Sequence, residues 1–179
     1  LFSIHSTIQK PFVLITAHRR ESFGEGFQNI CEAIKECAEK FSTHQFIYPV
    51  HLNPNVQEPV HKLLKNLSNV LLIEPVSYLK LLTLLKHSEF VLTDSGGIQE
   101  EAPSFGKYCI VMRDVTERQE GIDAGTAKLV GTNRDLIFSE LSKLLSEPLY
   151  YNKMAKAVNP YGNGTACAKI VKIISELQY

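Results

Sequence analysis

Short apolar runs alternate with helically patterned stretches along the chain, and that alternation sharply limits the folds open to it. The runs lie at residues 12–16, 46–50, 70–73, 90–93, 108–112 and 127–130. Each is short and rich in β-branched or aromatic residues, as buried strands are. Between the first two, Phe27, Ile30, Cys31, Ile34, Ala38 and Phe41 recur at three- and four-residue steps, the spacing of one helix face. Residues 55–67, 78–87, 133–145 and 166–177 read as further helices, with Asn133 or Thr132 capping the third of these. Residues 98–105 and 150–158 read as shorter ones.

Strand–helix alternation of this kind predicts an α/β fold: a Rossmann-like parallel sheet with helices on both faces. The 179 residues suffice for one domain with a substantial core, and no internal repeat interrupts them. Residues 1–11 read as a lead-in. The chain begins with Leu1 rather than Met, so a fragment of a longer protein is expected.

Charge narrows the function. Lys plus Arg and Asp plus Glu are both 19, so there is no overall basic field to draw nucleic acid or an acidic membrane. No apolar run approaches the ~20 residues that span a bilayer, and the N-terminus lacks a signal-peptide pattern. Cys31, Cys37, Cys109 and Cys167 are scattered, which suits reduced thiols in a cytoplasmic protein better than disulfides or a zinc site. No metal is expected. The glycine signatures of triphosphate and NAD sites are missing, so no cofactor is expected either.

In an open parallel sheet, ligands bind beyond the C-terminal ends of the strands. Four chemically dense loops follow strands here: residues 18–24, 51–54, 94–97 and 113–120. Four polar loops on one rim point to a ligand site. The third reads Asp94-Ser95-Gly96-Gly97 between a strand and a helix. Glycines there let the backbone approach an anion, and the helix N-terminus favours negative charge. Glu100 and Glu101, one turn further on, are placed to reach sugar hydroxyls. The plainer reading is a tight turn with Asp94 or Ser95 as an ordinary N-cap.

His18 follows the first strand with Arg19 and Arg20 beside it. A histidine there can donate to a phosphate oxygen or move a proton, and arginine presents a planar fork suited to phosphate. His51 and Asn53 belong to the same rim or to an Asn-Pro turn. Of the charged residues 113–120, Arg118 is expected to turn inward, because a diphosphate needs more than one positive partner. His5, His44, His61 and His87 are read as structural.

Five runs together carry a family resemblance: Thr16-Ala17-His18-Arg19-Arg20-Glu21-Ser22-Phe23-Gly24, Tyr48-Pro49-Val50-His51-Leu52-Asn53-Pro54, Leu92-Thr93-Asp94-Ser95-Gly96-Gly97-Ile98-Gln99-Glu100-Glu101-Ala102-Pro103-Ser104, Met112-Arg113-Asp114-Val115-Thr116-Glu117-Arg118 and Asn159-Pro160-Tyr161-Gly162. From about residue 12 onward the chain resembles the non-hydrolysing bacterial UDP-N-acetylglucosamine 2-epimerases. The resemblance implies one half of a GT-B fold: the C-terminal, UDP-binding domain, over residues 1–179, with the N-terminal domain outside this sequence. It implies that Ser95, Gly96 and Gly97 take the diphosphate, that Glu101 takes the ribose and that Arg118 sits by the phosphates. Val76 and Leu81 would flank the uracil, although the family often has an aromatic residue at the position of Leu81. His18 is the implied catalytic residue, with Arg19 beside it. The family reaction eliminates UDP, passes through a 2-acetamidoglucal and re-adds UDP, interconverting UDP-GlcNAc and UDP-ManNAc for polysaccharide biosynthesis. The implied partners are the UDP-sugar, the N-terminal domain and, at full length, a second copy in a homodimer. The rival readings are a GT-B glycosyltransferase domain and a non-catalytic nucleotide-sugar binding domain.

Overall fold

A computed structural model describes residues 8–177. His5 and most of the expected lead-in lie outside them. Six strands form one sheet: β1 (Phe12–Thr16), β2 (Gln45–Pro49), β3 (Val70–Ile73), β4 (Val91–Thr93), β5 (Cys109–Val111) and β6 (Ala127–Leu129). Their order is β3-β2-β1-β4-β5-β6, with every pair parallel. This is the Rossmann-like arrangement that the strand–helix alternation predicts.

The helices are α1 (Glu25–Lys40), α2 (Pro54–Leu64), α3 (Tyr78–His87), α4 (Gly96–Glu101), α5 (Gln119–Asp123), α6 (Arg134–Ser146), α7 (Pro148–Ala155) and α8 (Ala166–Glu176). Strand side chains alternate between two cores. Val13, Ile15, Phe46, Tyr48, Leu92 and Ile110 pack with α1, α2 and α6. Phe12, Leu14, Ile47, Val91, Cys109 and Val111 pack with α3 and α4 on the other face. Burial on both faces is why the strands read as continuous apolar runs.

Several boundaries differ from the sequence reading, for local reasons. The expected helix over 98–105 begins earlier, at Gly96, and gives way to a 3-10 segment, Ala102–Phe105. Pro103 sits in that segment's first turn, and Gly106 closes it at φ 65°, a conformation that suits glycine. The charged run after β5 holds a short helix, α5. The cap of α6 is Asn133, whose side chain accepts the Leu136 N–H at 3.0 Å. The second helix ends at Leu64, and α7 runs from Pro148 to Ala155. The large apolar residues of α8 (Ile170, Val171, Ile173 and Ile174) and Leu177 just after it are each more than half exposed.

Strand order reverses between β1 and β4. Thr16 and Thr93 are register partners there, and their hydroxyls share a hydrogen bond of 2.6 Å. The loops that follow these two strands therefore leave the sheet side by side.

Candidate functional site

Two open clefts meet at this reversal point. The first, of about 320 Å³, has apolar walls from Val76, Leu81 and Ile98 and polar groups from His18, Ser95 and Glu101, with Gly97 between them. The second, of about 480 Å³, is bordered by His18, Arg19, Arg20, Glu21, His51 and Ser95. His18, His51 and Ser95 belong to both. The fold thus gathers His18, Arg19, Val76, Leu81, Ser95, Gly97 and Glu101 on one rim. Gly96 and Arg118 line neither cleft.

Gly96 and Gly97 are the first two residues of α4, rather than part of a loop before it. Their N–H groups belong to the first helical turn, which lacks intrahelical acceptors. Ser95 occupies the N-cap position, but its side chain caps nothing. The ordinary cap is therefore not what Ser95 supplies, and its hydroxyl stays at the cleft. Ser95 N–H instead donates to Thr93 Oγ1 at 3.0 Å. Gln99 is fully buried behind the turn. Its amide donates to Ser95 O at 3.2 Å and its carbonyl accepts from Thr116 at 2.8 Å.

Arg118 packs behind Gly96. A Cβ at Gly96 would come within 3.0 Å of Arg118 Cζ, so a side chain there would push the guanidinium aside. Arg118 is bound to Glu100 Oε1 at 2.7 Å and to Glu117. The loop's inward arginine is Arg113, not Arg118: their side chains are 8% and 27% exposed. Arg113 donates from Nε to Glu21 and from Nη1 to Glu117, both at 2.8 Å. It ties the loop after β1 to the loop after β5. The carboxyl of Glu117 is held below its usual range by its backbone N–H and then by Arg113 and Arg118. Arg19 is held more loosely, 4.0 Å from Glu21 and 3.9 Å from Glu117.

Three further side chains help to build the site. Asp94 is completely buried, and its Oδ2 accepts the N–H groups of His18 and Arg19, both at 2.7 Å. Tyr78 donates to Glu101 Oε1 at 3.1 Å, and this hydrogen bond raises the Tyr78 hydroxyl above its ordinary pKa. Thr16 lines the first cleft. The rings of His18 and His51 stack, with centroids 5.2 Å apart and planes 9° from parallel. His51 serves both the rim and the turn: its Nδ1 also accepts the Asn53 N–H at 3.1 Å. Among the described residues, no group of three or more His, Cys, Asp or Glu side chains is placed to hold a metal ion. None of their helices is long and apolar enough to cross a membrane.

Residues 3–175 match the family model described as UDP-N-acetylglucosamine 2-epimerase. The chain belongs to that family. A UDP-N-acetylglucosamine 2-epimerase of Yersinia pestis is 52% identical over 169 residues, which are 94% of this chain and 45% of the relative. The chain therefore spans about half the length of the curated relatives it matches. A Neisseria meningitidis UDP-GlcNAc 2-epimerase, solved bound to UDP-GlcNAc, superposes with a TM-score of 0.91 at 48% identity. That match covers 97% of this chain and 47% of the Neisseria chain. The C-terminal domain of a group 1 glycosyl transferase from Francisella tularensis is 16% identical. It superposes with a TM-score of 0.72, covering 98% of this chain and 91% of that domain. The latter likeness is one of fold: an epimerase-family chain and a glycosyltransferase domain share the Rossmann-like unit of GT-B proteins.

Proposed function

We propose that this chain is the C-terminal, UDP-binding half of a cytoplasmic UDP-N-acetylglucosamine 2-epimerase, completed by an N-terminal domain. The observation that carries this reading is the first cleft, which joins the apolar Val76 and Leu81 to Ser95, Gly97 and Glu101. In this reading uracil lies against Val76 and Leu81. The ribose hydroxyls donate to Glu101. The diphosphate meets Ser95 and the first N–H groups of α4, where backbone donors and the helix dipole favour an anion. Arg118 supplies positive charge behind Gly96, and Arg19 turns in from the neighbouring loop.

The reaction begins by removing the C2 proton and breaking the sugar C1–O bond, so that UDP leaves with the electron pair and a 2-acetamidoglucal remains. Re-addition of UDP at C1, with a proton delivered to the opposite face of C2, gives UDP-ManNAc from UDP-GlcNAc. His18 stands where the departing diphosphate lies and steadies its growing charge. The groups that handle the C2 proton are assigned to the N-terminal domain, and the product to polysaccharide biosynthesis.

Calorimetric titration of the chain with UDP tests the site. Saturable binding that is weakened by Ser95→Ala is the expected result, and no heat with UDP refutes the site. In the full-length protein, deuterium from solvent should appear at C2 of UDP-GlcNAc. His18→Ala should lower turnover more than UDP affinity, whereas equal losses would make His18 a binding residue alone.

A further inference from the structure

The two carboxylate oxygens of Asp94 have different surroundings. Oδ2 holds the N–H groups of His18 and Arg19. Oδ1 is buried and accepts no hydrogen bond from the described residues. It lies 3.7 Å from His18 Nδ1, outside hydrogen-bonding range. A buried carboxylate oxygen without a donor is costly, so the site stores a demand for one.

The neighbouring donors are committed elsewhere. The Tyr48 hydroxyl, which rises from β2 and feels the Asp94 charge, donates to Ala17 O at 2.6 Å. The Thr16 and Thr93 hydroxyls bond each other, and Ser95 N–H goes to Thr93. Arg19 directs its guanidinium toward Glu21 and Glu117. His51 stacks on the His18 ring rather than reaching past it. His18 is thus the donor placed to satisfy Oδ1, and a small ring movement closes the gap.

We propose that Asp94 is a positioning residue for His18: with a nucleoside diphosphate in the cleft, Asp94 Oδ1 accepts the Nδ1–H of His18. This rests on the diphosphate reading of the rim. The bond fixes the tautomer and orientation of the ring, and leaves Nε2 as the nitrogen available to the cleft. A protonated ring held in this way donates Nε2–H to a diphosphate oxygen, while the buried carboxylate balances its charge. The stack on His51 limits the ring to rotation near its present plane. Asp94 therefore acts through His18 and touches no substrate.

Asp94→Asn separates this role from the loop clamp. The amide oxygen still accepts the two backbone N–H groups, but the NH₂ cannot accept from Nδ1–H and donates to Nδ1 instead. In full-length protein with ¹⁵N-labelled histidine, long-range ¹H–¹⁵N spectra read the ring, and the His18 signal is assigned by its loss in His18→Gln. The expected wild-type UDP complex has His18 protonated at Nδ1. Asp94→Asn should convert it to a neutral ring protonated at Nε2, hold UDP affinity within about threefold, and lower kcat by about 10²-fold. Wild-type His18 unprotonated at Nδ1 in the UDP complex overturns the proposal, whatever becomes of the variant. So does an Asp94→Asn signal identical to that of wild type. A wild-type protein that fails to bind UDP in the same samples overturns the site reading instead, and the proposal with it.

Discussion

The hydroxyl of Tyr78, at the first position of α3, donates to Oε1 of Glu101, at the last position of α4. The bond joins two helices across the mouth of the first cleft and holds the Glu101 carboxylate at its wall. Glu101→Ala should weaken UDP binding by about 1.5–3 kcal/mol, the usual worth of a hydrogen bond to a charged group. Tyr78→Phe leaves the carboxylate present but less fixed, so a smaller loss, about 0.5–1.5 kcal/mol, is expected. Calorimetry on the two variants checks the order. A larger loss for Tyr78→Phe would mean that Tyr78 itself contacts the nucleotide.

The two glycines of α4 should respond differently to alanine. A Cβ at Gly97 meets nothing nearer than Ser95 Oγ at 3.8 Å. Gly97→Ala should therefore hold or raise stability, by up to ~1 kcal/mol from helix propensity. It should nevertheless weaken UDP binding roughly tenfold or more, equivalent to about 1.4 kcal/mol, because the methyl group enters the cleft. Gly96→Ala has to displace the Arg118 guanidinium and should reduce both stability and binding. Thermal melts with and without UDP separate the two cases.

Arg113 carries the connection between the loops after β1 and β5. Arg113→Ala removes charged hydrogen bonds to Glu21 and Glu117, and both carboxylates are about half exposed and can rehydrate. A loss of about 1–3 kcal/mol is expected in urea denaturation. Arg113→Lys should restore little, since an ammonium cannot match the planar fork that reaches both partners.

The cysteines should divide by burial. Burial pushes the Cys31 and Cys37 thiols up to about 12 from a reference of 9.0. It raises Cys109 as well, and Cys167 is exposed. Native protein at pH 8 should yield one rapidly reacting thiol, Cys167, with the other three reacting on unfolding. Because the folded-state values are raised, these thiols contribute full stability below about pH 9 and lose it as pH climbs toward 12. The urea midpoint should fall between pH 8 and pH 10.5. More than one fast thiol would show that the core opens.

Much of the fold was legible because burial writes itself into local patterning. Residues 12–16 and 70–73 read as strands from continuous apolar runs, and the three- and four-residue spacing of Phe27 to Phe41 marked α1. The site was legible in part. His18, Ser95, Gly97 and Glu101, which lie in long ordered motifs, share a cleft with Val76 and Leu81, which lie in none. Asp94 was not legible as a clamp, because its partners His18 and Arg19 lie 76 and 75 residues away. That Arg113 is the more buried of the two arginines was not legible for the same reason: the acceptor that draws it inward, Glu21, is 92 residues distant.

The sequence by itself determined the alternation of strands and helices, hence a parallel sheet with its polar loops along one rim. Those features follow from hydrophobic periodicity, glycine placement and capping residues, all of which act over a few neighbouring positions. The tertiary structure decided which member of each loop faces inward. Placing β1 beside β4 sets the buried Asp94 carboxylate under His18, ranks Arg113 over Arg118, and leaves the hydroxyl of Ser95 uncommitted at the cleft. Desolvation and hydrogen bonding between distant segments make those choices, and neither exists until the sheet has formed.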